Sequence, residues 1–309
     1  MQKSVAVYAL STPNVGEKNI LADFGLGVHY SGDKIQVISD DVYIKEDADV
    51  HVIFGSWKPR TDQHHLVKNM VVDYCKENNK PFICFETPLI GRKKVEQVMK
   101  DEYFRIGING FLADTGNFNN INCPRDRWDK IKENLDIELR PWRQDGDRIT
   151  IALQLPGDAS LRGANISKWA YDTARKVKNI LSEFGIEKRI VIRTPQLPRQ
   201  FENIEKLQDL GCEIEIGTKE NLNDSFRNCW AAITYSSGYA IDAIINGVPV
   251  IACDPGSFAY EVSSNDVNFI MDPKIMTNDE RQQWLQDLSY AQWHKRELGK
   301  AWRHLRDRI

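Results

Sequence analysis

ITYSSGYAIDAIINGVPVIACDPGSFAYEVSS, Ile233 to Ser264, reads as a strand, a polar turn, a helix, a Gly-Val-Pro break, a second strand and a loop with an acid in it. Strand, crossover helix and strand in so short a span is the unit from which parallel α/β sheets are built. Ser236, Ser237 and Gly238 fall where the first strand ends and the helix begins. Two readings of that turn compete. One serine caps the helix, as serine commonly does, or the free backbone N–H groups, the positive helix end and both hydroxyls form a seat for an anion.

The alternation continues outward from this stretch. RITIALQL, KRIVIRT, CEIEIG and AAITY precede it as strands, separated by the amphipathic helix ISKWAYDTARKVKNILSEFG (Ile166–Gly185) and by the helices FENIEKLQDLG and NDSFRNC. An earlier run has strands at Val5–Leu10, Lys34–Asp40, Ala48–Trp57 and Lys80–Glu86. Its helices are KNILADFGLGVHY, His65–Asn79 with Leu66, Met70, Val71 and Tyr74 at helical spacing, and Lys93–Tyr103. Phe104–Trp128, rich in Gly and Asn, reads as a strand and a long loop, and Leu139–Arg148 as a linker. The chain ends in helices, TNDERQQWLQDLSYAQWHKRELGKAWRHL. The prediction is an α/β protein with two Rossmann-like parallel-sheet domains, residues 1–145 and 146–309, and the ligand in the cleft between them at the carboxyl ends of the strands.

Composition narrows the function. The chain has 309 residues and a net charge of −3, so it lacks the global basic field of a protein that coats nucleic acid. Six cysteines, Cys75, Cys84, Cys123, Cys212, Cys229 and Cys253, form no C-x-x-C pair and no zinc pattern, and read as reduced thiols of a cytoplasmic protein. The first residues are too short and mixed for a signal peptide. No apolar run approaches the roughly 18 residues of a membrane span, so a soluble protein is expected.

Three further groups share the rim of the second strand run. QLPGDASLRG puts Gln154, Gly157, Asp158, Ser160 and Arg162 after its first strand, Gly157 for a tight turn and the others as hydrogen-bonding groups for a nucleotide or sugar. Arg193 ends IVIRT and suits a phosphate. Glu261 follows the last strand and can accept from sugar hydroxyls.

Gln154 with Asp158-Ala159-Ser160, Arg193-Thr194-Pro195, and Ser236-Ser237-Gly238 followed by Gly247-Val248-Pro249-Val250 resemble the GT-B glycosyltransferases of the capsular polysaccharide type and their phage-encoded relatives. The tail SYAQWHKRELGKAW resembles theirs too, and the likeness spans Ile149–Trp302. It implies an N-terminal acceptor domain and a C-terminal domain binding a nucleotide-activated sugar through the rim residues named above, with a last helix that often crosses back to the first domain. Many capsule-type members carry His-Pro after the arginine strand. Here the string is Arg193-Thr194-Pro195, which argues against a CMP-linked donor and leaves UDP- or GDP-sugars, UDP favoured. No metal-type DxD follows an apolar strand, Asp40-Asp41 reading as a turn, so no metal is expected and the phosphate charge falls to helix ends and Arg193.

Sugar transfer needs a base for the acceptor hydroxyl. Glu86, ending PFICFE, and Asp114, in GFLADTGNF, are the candidates, while His51 inside a strand reads as a core histidine. Glu17 and Lys18 follow the first strand, where they can meet the donor phosphate. Trp57, Lys58, Arg60 and Arg92 lead a basic and aromatic set that continues through Arg125, Arg127, Trp128, Trp142 and Arg143. Such a set suits a phosphate backbone and an extruded base, so the leading expectation is a hydroxymethylated pyrimidine in phage DNA. A capsular or other cell-surface glycan is the alternative, since tryptophan also stacks on sugars, and a non-catalytic nucleotide-sugar-binding protein is a third. Residues 56–150 carry 17 basic against 15 acidic side chains, a near-neutral balance.

Overall fold

The protein is described from a computed structural model covering residues 1–40, 42–91, 103–143, 145–195, 200–202, 204–218 and 220–309. Of the expected helix over Lys93–Tyr103, residues 93–102 lie outside the described residues, as does the expected acceptor residue Arg92, and Tyr103 begins a strand. Strands run in chain order as β1 (Ser4–Tyr8), β2 (Lys34–Ile38), β3 (Val50–Phe54), β4 (Phe82–Glu86), β5 (Tyr103–Ile108), β6 (Arg148–Ala152), β7 (Arg189–Thr194), β8 (Glu213–Ile216), β9 (Cys229–Thr234), β10 (Val250–Ala252) and β11 (Gln292–His294). Helices are α1 (Val15–Tyr30), α2 (Gln63–Glu77), α3 (Asp126–Asn134), α4 (Ile166–Glu183), α5 (Ile204–Asp209), α6 (Leu222–Ser225), α7 (Tyr239–Ile245), α8 (Asn278–Ala291) and α9 (Leu298–Arg306).

The chain divides into two units: Met1–Phe111 with Thr115–Ile131 and Gln282–Ile309, and Leu112–Asp114 with Lys132–Arg281. Each unit has its own sheet. The first is ordered β11-β5-β4-β3-β1-β2, and the second β10-β9-β6-β7-β8. All pairings of the second sheet are parallel. In the first, β1 to β4 are parallel, while β5 pairs antiparallel with β4 and with β11. The expected class, α/β with two Rossmann-like sheets, is the one observed, with an antiparallel edge on the first sheet.

The division of the chain differs from residues 1–145 and 146–309 at Leu112–Asp114, at residues 132–145 and, with the clearest cause, at the tail. The sequence places the tail with the second domain, but the tail carries apolar surface that completes the first core. Trp293, Leu298, Trp302 and Leu305 are buried there with Val5, Phe24, Val52 and Phe85. The tail also holds a strand within what reads as continuous helix. β11 takes the free edge of β5, and the Gln292 side chain accepts the N–H groups of Leu89 and Ile90, both at 2.9 Å. The expected linker is likewise fastened, to the second unit. Arg140 N–H donates to Ile245 O, Arg143 N–H to Gly247 O and Trp142 Nε1 to Met276 O.

In the second unit α4 explains itself locally. The Asn165 carboxamide accepts from Lys168 N–H at 2.9 Å at its start, and Gly185 with φ +64° releases the chain just past its end. Its stripe of Ile166, Ala170, Ala174, Val177 and Leu181 packs on Ile149, Ile151 and Ile192 of the sheet.

Candidate functional site: two sheet rims

In the second sheet the chain leaves the central β6 toward β7 and β8, then returns to its other side as β9 and β10. The loops after β6 and β9 therefore diverge at a topological switch point, where open α/β sheets bind ligands. Gln154 stands two residues past β6 and ties these loops together. Its Nε2 donates to Ser236 Oγ at 3.0 Å and to Ser160 Oγ at 2.5 Å, and its Oε1 accepts from Ser236 N–H at 3.1 Å. Asp158 in turn accepts from Ser160 N–H at 2.9 Å and from its hydroxyl at 2.7 Å. Four of the expected residues thus form one polar network on the rim. Gly157, exposed and at φ +73°, makes the turn above it.

The two serines divide the competing roles. Ser237 Oγ accepts from Tyr239 N–H at 3.2 Å, at the start of α7. Ser236 points its hydroxyl to Ser160 O at 3.2 Å, so it braces the β6 loop. Gly238 is exposed and has open space where a Cβ would stand.

Two expectations change. Arg193 is expected to face a phosphate, but the residue is only 6 % exposed and its guanidinium turns to the neighbouring strand β8. It pairs with Glu215 and donates to Thr218 O at 2.9 Å and Asn221 Oδ1 at 2.7 Å, so its donors are spent inside the unit. Asp114 was to serve as a base of the first domain. Instead Leu112–Asp114 belong to the second unit, Ala113 N–H donates to Gly256 O at 3.2 Å, and the Asp114 carboxylate pairs with Arg162. Arg162, at φ +51°, also pairs with Asp254, whose Oδ1 accepts Gly256 N–H at 2.8 Å. Asp254 first, and then Asp114, holds the guanidinium proton more tightly than usual. Arg162 therefore links the loops after β6 and β10, and Asp254 is a member that the sequence reading missed. DPG after a strand was its only signal. Glu261 sits exposed in a short 3-10 turn, its carbonyl accepting from Lys274 Nζ at 2.8 Å.

The first sheet has its own switch point, because β2 and β3 flank β1. Around it stand Thr12, Glu17, Ser56 and Glu86. The Glu86 carboxylate accepts from Ser56 N–H at 3.2 Å and from Thr87 N–H at 2.9 Å. Thr12 Oγ1 donates to Glu17. Burial pushes the Glu17 carboxyl up, the Thr12 bond opposes this, and the Glu86 charge adds to it. Lys68 completes the group and was not expected. It is 5 % exposed, burial pushes its ammonium down, and Glu86 and Glu17 oppose that shift. Lys18 is half-buried in the first turn of α1, next to Glu17. Trp57, Lys58 and Arg60 lie together on the loop after β3, with Trp57 edge-on to Phe82 and Phe111 at 5.4 and 5.3 Å. His51 is a core histidine, bonded through Nδ1 to Tyr8 Oη at 2.9 Å. Among the described residues, Asp62, His64 and His65 are grouped as metal ligands would be.

Two solved structures from Thermosulfurimonas dismutans share this architecture. KpsC, beta Kdo 2,4 transferase, matches with a TM-score of 0.56 at 14 % identity, over 94 % of this chain and 90 % of that one. KpsC, beta Kdo 2,7 transferase, matches at 0.55 and 14 % identity, over 98 % of this chain and 100 % of that one. The chain has the fold of these transferases. At this identity the likeness is one of fold. No protein-family model and no curated protein matches the sequence.

Much of the basic and aromatic set is structural. Trp128 is fully buried. Arg127 lies 3.7 Å from the Trp293 ring centroid, donates to Gln292 O at 2.7 Å and pairs with Glu297 at 3.3 Å. Trp142 stacks under Arg281 at 4.4 Å, and Arg143 donates to Phe226 O. In the tail Arg306 pairs with Asp33, and Arg308 donates to Asn119 Oδ1 at 2.7 Å. These cations balance internal acids and carbonyls.

Proposed function

We propose that this chain is a glycosyltransferase. It takes a nucleotide-activated sugar on the rim formed by Gln154, Asp158, Ser160 and Ser236 and transfers the sugar to a hydroxyl of a capsular or other cell-surface glycan. One observation carries the reading: a fold shared over nearly the whole chain with two β-Kdo transferases, with the polar network at the switch point where such sheets bind nucleotides. An acidic sugar of the Kdo class is the first choice for the transferred group, and UDP-, GDP- and CMP-linked donors are all to be tried. The DNA acceptor is set behind the glycan, because Arg127, Trp128, Trp142, Arg143 and Arg306 are engaged inside the protein. Glu86, on the first rim, is the proposed base, with Glu17 beside it.

The test is mass spectrometry of products after incubation with each donor and either a Kdo-bearing glycan or hydroxymethylcytosine DNA. A sugar added to the glycan supports the reading, and addition to DNA alone replaces it. Donor binding without any product would make this a binding protein. Glu86→Gln is expected to lower kcat by about 10²- to 10⁴-fold with donor affinity kept. Gln154→Ala is expected to weaken donor binding by about 1–3 kcal/mol, read by calorimetry.

A further inference from the structure

The loop leaving β3 enters α2 through Asp62. This is the N-cap position, yet the Asp62 carboxylate makes no capping bond. His64 and His65 follow in the first turn, and one ligand atom from each of the three residues lies within 4.8 Å of the others. His65 is 6 % exposed and its Nδ1 has no hydrogen-bond partner, a costly state for a buried polar atom. The two imidazole rings are 4.4 Å apart. Lys58, Arg60 and Lys68 are the cations facing the group, and Asp62 is its anion. Those cations work against weakly held hard ions such as Mg²⁺ and Ca²⁺. Two imidazoles and a carboxylate match the ligand preference of Zn²⁺ and its neighbours.

We infer that Asp62, His64 and His65 form a mononuclear site for a borderline divalent transition ion of the Zn²⁺ class, with its remaining coordination positions open. Bonds of about 2 Å need the three atoms closer together. Rotation of the exposed Asp62 and half-buried His64 supplies this, with His65 as the fixed member. The site lies on the loop after β3, beside the switch point of the first sheet, and so on that unit's ligand-bearing rim. The inference does not depend on the proposed transfer reaction.

Isothermal titration calorimetry of the full chain with Zn²⁺ alone tests it. One equivalent is expected to bind, and His64→Ala and Asp62→Asn are each expected to weaken binding by at least about tenfold. His29→Ala, an exposed histidine on α1, is expected to change nothing. No saturable heat, or binding that survives His64→Ala, or binding lost in His29→Ala, would overturn the site. His64→Ala and Asp62→Asn carry the test even if a His65 variant does not fold.

Discussion

Asp33 lies in the turn between α1 and β2 and is 3 % exposed. Its carboxylate accepts from Arg306 Nε at 2.7 Å, Lys3 N–H at 2.8 Å and Trp302 Nε1 at 2.8 Å. Arg306 above all, with the two N–H groups, holds the carboxyl down at about 2 against the effect of burial. A carboxyl lower in the folded than in the unfolded chain, where it sits near about 3.9, adds stability above that unfolded value and loses it as pH falls through about 2. Asp33→Asn is therefore expected to cost about 2–3 kcal/mol at pH 7 and to flatten the fall in stability between pH 4 and pH 2, measured by denaturant unfolding. Such pairings are not visible in a sequence, since 273 positions separate Asp33 from Arg306. The same holds for Arg193. Its place at a strand end was legible, but whether it faced solvent or Glu215 depended on β8 lying beside β7.

At the scale of elements, α1 and α9 meet through glycine. A Cβ on Gly27 would stand 2.6 Å from Gly299 Cα, whereas a Cβ on Gly299 would stand 3.3 Å from Gly27 Cα. Gly27→Ala forces backbone against backbone and is expected to destabilise by about 1–3 kcal/mol. Gly299→Ala is expected to cost less, and comparing the two melting temperatures checks the asymmetry. Element positions were largely legible, because period-2 and period-3.6 patterns record burial directly. The exact face was less so. In α2 the apolar stripe reads as Leu66, Met70, Val71 and Tyr74, but Leu66 is 52 % exposed and the buried set is His65, Val67, Lys68, Val71, Val72 and Cys75. A lysine and a histidine on the inner face rotate the pattern away from what hydropathy alone indicates.

At the scale of the whole molecule, the last 28 residues finish a unit that the first residues begin. The tail contributes the edge strand β11, the fully buried Trp302, and Glu297, which pairs with Arg127 and Lys130. Glu297→Gln leaves Arg127 buried without its charge partner and is expected to cost about 3–5 kcal/mol, read as a lowered midpoint in urea. A chain stopped after Arg281 is expected to lose the cooperative unfolding of the first unit and expose its apolar core, checked by dye binding and near-UV circular dichroism.

Local pattern by itself determined the α/β class, the order of most strands and helices, and the position of Gln154, Asp158, Ser160 and Ser236 after strand ends, because each depends on neighbours a few residues away. The tertiary structure alone decided which polar residues stay on the sheet rims and which turn to one another. It turned Arg193 inward, drew Asp114 to Arg162, buried Lys68 beside Glu17 and Glu86, and brought a strand from the tail to the first sheet. Those outcomes depend on charges and hydrogen-bonding groups finding partners far along the chain, and sequence periodicity carries no record of such pairings.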